Sequence, residues 1–403
     1  MFLKKHDIIE KIFYITIAVY FIFSAITLTM AEEVALIALV AKLARYVCYV
    51  AFLFIIACNV IDFSKPLTIK NIIVSFVQYM LKHLILVFVI LVAMCILLSA
   101  KDRAPLVLVL LIWTCSFYDF KKIIAFYFKV MAGFMCFTWG LSLLEIVPEI
   151  IITREERQRF SLGFIYPLET MTFLLFLVIC YVYLKDKKFT FKDFALINVI
   201  GYLLYAVTDA RTSYLLIVGV TIVALIYSKT NLEKLLEKIN TKVYYIGIAA
   251  ISLGILGCGY FYRADSDFFL KLDMILNNRI RLMNEAFREY GISLFGENIR
   301  WIGYGGQTDT SLVEAIYNFV DCGYAKMLFD YGVVFAVLVC VGYAFMYKHA
   351  NAKKDYILIL AVTMILMVSV MEPRLISIEM NPFVLLLGLF FMKENKSNFK
   401  FIL

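Results

Sequence analysis

Charge is scarce in this chain. Only 17% of its residues are charged and 63% are hydrophobic, with a mean hydropathy of +0.88. Soluble domains carry about 25% charged residues, so a water-soluble globule is excluded. Histidine is scarcer still: His6, His83 and His349 are the whole complement. No HExxH, no His/Cys cluster and no GxxxxGK[ST] loop occurs. Neither a metal site nor an ATPase is expected, and no cofactor. The nine cysteines form no CxxC pair and lie mostly in apolar stretches, where they act as small hydrophobes. No basic leader with a small-residue cleavage site stands at the start, so residues 12–29 are expected to remain as a membrane helix. Two-residue alternation is missing from the apolar runs, which excludes a transmembrane barrel.

What is present is a succession of apolar runs along the whole chain. The expected fold is all-α and polytopic, with about 12 transmembrane helices at 12–29, 34–59, 72–99, 105–118, 123–147, 167–184, 194–207, 214–227, 244–262, 322–347, 356–371 and 382–392. Residues 1–403 then form a single integral membrane domain. Residues 263–320 form one large extracytoplasmic loop between the ninth and tenth spans.

The connectors alternate in composition. One set, from the first eleven residues to the KENKSNFKFIL tail, holds 21 lysines and no arginine. The other set holds eleven of the twelve arginines and two lysines. Without the long loop the bias is 21 basic residues against seven, which places both termini in the cytoplasm. Much of the +8 net charge is thereby topology, and no nucleic-acid partner is implied. Orientation needs only positive charge. Arginine adds a planar fork that grips phosphate or carboxylate through two bonds and stays charged in a dry site. Its concentration on the outer side points to an anionic ligand there; the bland alternative is a set of interface anchors.

Five outer stretches carry the candidates. TREERQRFSLGFIYPLET (153–170) places Arg159 near Glu169 at the mouth of a span. TDARTSY (208–214) sits between two apolar runs of about 14 residues, too short to cross about 30 Å of hydrocarbon, so both helices must borrow from it. On a continued helix Thr208, Arg211 and Thr212 share a face, and Asp209 lies on another. In DFFLKLDMILNNRIRLMNEAFREYG, positions 268, 272, 275, 276, 280, 283 and 287 form one apolar stripe, with Asn278, Arg281, Glu285 and Arg288 on other faces. Such a helix lies along the interface or lids a cavity. Finally, Asp321 begins DCGYAKMLFDYG, with Tyr324 three residues on, and Glu372 lies in MEPRLISIEMNPF beside Arg374 and Glu379.

In this order RFSLGFIYPLE, TDARTSY, NNRIRLMNEAFREYGISLFG, DCGYAKMLFDYG and EPRLISIEMNPF resemble the Wzy-type polysaccharide polymerases, relatives of the O-antigen ligases, over most of residues 150–392. The resemblance implies a GT-C-like membrane glycosyltransferase at the outer face of a bacterial cytoplasmic membrane. Its substrate would be undecaprenyl-diphosphate-linked oligosaccharide, with a chain-length regulator and a flippase as candidate partners. It assigns Arg159, Arg211 and Arg279 to the lipid diphosphate, with Tyr324, Thr212 and Arg281 as further substrate contacts. Asp321 stands where related ligases have histidine, and Tyr166 where many polymerases do. The base is therefore expected to be a carboxylate: Asp321 first, then Glu169, Asp209 and Glu372. Among arginines such a carboxylate is expected to stay ionised. The alternatives are a ligase-like transferase, a flippase or transporter, and a non-catalytic scaffold.

Overall fold

A computed structural model of the chain describes residues 2–63, 66, 68–154, 157–307, 313 and 316–391. About 75% of it is helical, and it is an all-α polytopic membrane protein. Among the described residues eight helices are long and apolar enough to cross a membrane: α1 (Phe2–Ala25), α2 (Ala35–Val60), α6 (Phe120–Leu143), α7 (Pro167–Lys185), α8 (Phe191–Thr208), α9 (Arg211–Lys229), α11 (Thr241–Tyr260) and α14 (Gly323–Ala352). Between them lie α3 (Ile69–Lys82), α4 (Leu84–Ser99), α5 (Ala104–Cys115), α10 (Leu232–Lys238), α12 (Asp267–Ile275), α13 (Arg279–Tyr290) and α15 (Tyr356–Val368).

The expected span 72–99 is not one helix. It breaks at His83, and α3 and α4 meet at 93°. Ile69, Ile73, Phe76 and Leu81 remain exposed along α3. The runs at 105–118, 356–371 and 382–392 are shorter than a crossing. Apolar segments of this length are more often buried core than spans. Along α15, Leu358, Ala361 and Ile365 are fully buried; so are Phe383 to Leu387 in the 3₁₀ turn Pro382–Leu387. These segments fill the bundle interior. At its centre is α7, 72% buried, packed against α6, α8, α9 and α15.

A two-stranded hairpin departs from the all-helix expectation: β1 (Ile151–Arg154) pairs antiparallel with β2 (Arg157–Phe160). Ile152 stands opposite Arg159 in this register, and both are buried. Side chains alternate across a strand, so Arg157 and Arg159 share one face of β2, and of the two only Arg159 is buried.

The two ends of the bundle begin their helices differently. Thr68, Asp119, Thr190, Asn240 and Asp355, near the lysine-rich connectors, all cap first-turn amides through their side chains. At the arginine-rich end α7, α9 and α14 start without a side-chain cap.

Candidate functional site

A cavity of about 1330 Å³ opens where those three uncapped helix starts converge with the start of α13. Its wall includes Arg159, Glu169, Asp209, Arg211, Thr212, Arg279, Arg281, Asp321 and Glu372, drawn from five separate stretches of chain. Tyr324 is the exception. The helix begins only at Gly323, so Asp321 is not a turn below Tyr324. Instead Tyr324 is buried and its hydroxyl donates to the Leu366 carbonyl at 2.8 Å, which makes it a packing residue between α14 and α15.

The segment 208–211 is a turn rather than a continued helix. Helix α8 ends at Thr208, Asp209 adopts the left-handed conformation (φ 49°, ψ 31°), and α9 restarts at Arg211. The helices reach 18 and 19 residues by taking in Thr208 and Arg211 to Ser213 from this segment and residues 191–193 and 228–229 at their other ends. The hairpin grips this turn twice. Arg159 Nε donates to the Thr208 carbonyl at 3.0 Å, and Arg157 Nη1 lies 3.7 Å from Asp209 Oδ1. Asp209 is thus paired with Arg157. Arg159 also lies over the Tyr166 ring at 5.6 Å.

The amphipathic stretch is likewise broken. Asn277 and Asn278 both have positive φ and end the single expected stripe between α12 and α13. Ile280, Met283 and Phe287 turn inward, whereas Phe268 and Ile275 stay exposed. Buried Asp273 Oδ1 accepts from the Ile280 and Arg281 amides at 2.9 and 3.0 Å, capping α13 from within the preceding helix. Asn284 Nδ2 ties α13 to the last turn of α11 through the Gly259 carbonyl, at 2.8 Å. This bracing presents Arg279 to the cavity. Its side chain is 6% exposed, and its Nε and Nη1 have no hydrogen-bond partner. An unpartnered buried guanidinium is costly in a lone protein and is an acceptor site waiting for a ligand.

The carboxylates divide into two kinds. Glu169 is joined to Arg374 by a close ion pair, as Asp209 is to Arg157. Glu372 is 3% exposed; Thr172 donates to its Oε2 at 3.2 Å, while Oε1 is buried and unpartnered. Burial pushes Glu372 up to about 8, although Arg279 pulls the other way. Burial also raises Asp321, opposed by Arg279, with Glu169 adding to the rise. For Glu372 the expectation of a carboxylate held ionised by arginines is reversed, and Asp321 shifts in the same direction, because desolvation outweighs the opposite charge at each.

Aromatic and further basic side chains complete the wall. Tyr166 and Tyr304 stack at 6.1 Å, and Tyr304 and Tyr317 lie 5.0 Å apart. Arg300, Trp301 and Arg374 also line the cavity. Among the described residues no three His, Cys, Asp or Glu side chains are grouped to hold a metal.

The loop before α14 is locked into that helix. Gly332 interrupts α14 with φ 80°, ψ 173°, and the chain at Ser293 to Gly296 threads into the break. Val333 N–H donates to the Ser293 carbonyl at 3.0 Å and Glu297 N–H to the Phe329 carbonyl at 3.1 Å. A side chain on Gly296 would lie 2.0 Å from the Asp330 carbonyl oxygen. Trp301 Nε1 donates to Asp330 Oδ1 at 2.6 Å, and Lys326 pairs with Asp330 Oδ2 at 2.5 Å. No protein-family model, curated protein or solved structure matches the chain.

Proposed function

We propose that this chain is a membrane glycosyltransferase that joins lipid-diphosphate-linked oligosaccharide units into a polysaccharide, with its site at the outer face of a bacterial cytoplasmic membrane. The observation that carries the reading is Arg279: a buried, unpartnered guanidinium facing a cavity shared with Arg159, Arg211, Asp321 and Glu372. Three uncapped helix starts add partial positive charge around it. This suits a diphosphate leaving group, whose charge grows as its bond to the sugar breaks.

In the proposed reaction an acceptor hydroxyl attacks the anomeric carbon of the donor sugar. The carbon–oxygen bond to the lipid diphosphate breaks, its electron pair leaves with the diphosphate, and the hydroxyl proton passes to a carboxylate. Asp321 is assigned as that base. It lines the cavity and, unlike Glu169 and Asp209, is not held in an ion pair with an arginine. Its raised affinity for protons makes it a better acceptor than an ordinary aspartate. Glu372 is mostly protonated near neutrality and serves as a hydrogen-bond donor. The stacked tyrosines offer flat faces on which sugar rings can pack.

Reconstitution of the full chain with undecaprenyl-diphosphate repeat units tests the proposal. A ladder of products formed without nucleotide or metal is expected. Transbilayer movement of the lipid without bond formation would overturn it in favour of a flippase.

A further inference from the structure

The rings on the wall of the large cavity come mostly from one segment. Residues 301–319 supply Trp301, Tyr304, Tyr317 and Phe319, and Tyr166 joins them by stacking on Tyr304. Among the described residues of 300–319, Arg300 is the one charged side chain on the wall, and Gln307 adds a neutral amide. The guanidiniums of Arg159, Arg211 and Arg279 enter from other stretches: the hairpin, the α8–α9 turn and α13. Asp321 lies where the two surfaces meet, with Arg279 and Tyr317 both close enough to act on its charge.

The aromatic segment is pinned. Ile302 N–H donates to Asn318 Oδ1 at 2.6 Å and Asn318 N–H to the Ile302 carbonyl at 3.2 Å, which holds the two arms of the segment side by side. Trp301 is fixed most firmly. Its Nε1 donates to one oxygen of Asp330, the other oxygen pairs with Lys326, and the Lys326 ammonium lies 4.5 Å from the indole centroid. A charge-assisted hydrogen bond, an ion pair and a cation–π contact thus close a ring of three side chains. Lys326 and Asp330 are mostly buried, so little water competes for either. Trp301 itself is half-buried and lines the cavity. A tryptophan that only latched the loop to α14 would gain by leaving water altogether. One held rigid with part of its ring on a cavity wall is a prepared contact surface.

Aromatic faces carry partial negative charge, which attracts the C–H face of a sugar ring and disfavours a diphosphate. Phosphate belongs with the guanidiniums. The acceptor hydroxyl must reach Asp321 from a side that the departing diphosphate does not occupy. We infer, on the transfer reaction proposed above, that the 301–319 wall is the acceptor's site. Trp301 is a platform for an acceptor sugar ring, and Asp330 and Lys326 are its positioning residues.

Trp113, Trp139 and Trp301 are the chain's three tryptophans, so Trp113→Phe/Trp139→Phe leaves one reporter in the full-length protein. The probes are undecaprenyl diphosphate and the repeat-unit oligosaccharide freed by mild acid from the lipid-linked pool of the source cells. The oligosaccharide is expected to shift Trp301 emission saturably. Undecaprenyl diphosphate is expected to raise the thermal midpoint without that shift. Trp301→Leu should weaken oligosaccharide binding at least about tenfold by titration calorimetry and leave the lipid's stabilisation intact. Arg279→Gln should do the reverse. Asp330→Leu/Lys326→Met removes both charges together, so neither is left buried alone. It is expected to raise KM for the acceptor at least about threefold with kcat kept. No oligosaccharide shift, an equal shift from undecaprenyl diphosphate, or unchanged affinity in Trp301→Leu would overturn the inference. If the lipid still stabilises the protein, the transferase reading stands; if neither probe binds, that reading falls too. Should the reporter variant fold poorly, wild-type protein labelled with 5-fluorotryptophan gives the same answer from the Trp301 resonance, identified by its absence in Trp301→Phe.

Discussion

Arg159 and Thr208, 49 positions apart, are joined by a buried 3.0 Å hydrogen bond from the guanidinium Nε to the last carbonyl of α8. The bond fixes the hairpin to the turn that delivers Arg211. Lysine at position 159 keeps the charge but has no equivalent of Nε, and a hydrogen bond to a charged group is worth about 1.5–3 kcal/mol. Arg159→Lys is therefore expected to lower the thermal midpoint and cut polymer formation at least tenfold. Wild-type activity with an unchanged midpoint would show that charge alone suffices.

Arg279 should behave in the opposite way for stability. Its unpartnered nitrogens are a liability without ligand, so Arg279→Met is expected to leave the ligand-free protein as stable as wild type or more so. Stabilisation by added undecaprenyl diphosphate, read as a shift in thermal midpoint, should disappear in the same variant.

Glu372 makes stability depend on pH in a definite direction. Its folded-state affinity for protons is raised, from 4.5 to about 8. The contribution is therefore complete below 4.5 and is lost as pH rises toward 8, by about 1.4 kcal/mol per pH unit for one proton. Glu372→Gln should flatten that decline between pH 5 and 8, measured by denaturant titration at each pH.

Asp321 should set the acidic limb of the rate profile. A base must be ionised, so kcat/KM is expected to rise with pH through a value above that of a free aspartate. Asp321→Asn should lose polymer at least a hundredfold while protein level holds. A normal chain-length distribution in that variant would remove Asp321 from the mechanism.

The Gly332 break tests the lock. A Cβ there would stand 2.4 Å from the Leu294 carbonyl, on a backbone with φ 80°. Gly332→Ala is expected to cost more than about 2 kcal/mol, seen as lower yield and a lower midpoint. Val337→Ala, at an exposed position further along α14, should be near neutral.

The cavity wall was legible where charge met hydropathy. Arg159, Arg211, Arg279, Asp321 and Glu372 stand out because a charge beside an apolar run needs a reason, and the Arg/Lys segregation told the two ends apart. Conformation at single residues was not legible. Asp209, Asn277 and Asn278 each take a left-handed backbone that stops a helix whose side-chain periodicity runs straight through. Tyr324 lies away from the cavity because the helix starts two residues after Asp321. The hairpin escaped notice because four-residue strands carry too little alternation to show against charged neighbours. The sign of the carboxyl shifts depended on burial, which appears only once the chain is folded.

The meshing of Gly296 with Gly332 has a consequence for engineering. The loop and the first half of α14 are one mechanical part, although a hydropathy plot divides them into connector and span. A graft that swaps the loop to alter substrate preference would separate two surfaces that fit only each other. The exchangeable unit runs from Ser293 through Val334, and chimeras cut inside those limits are expected to misassemble.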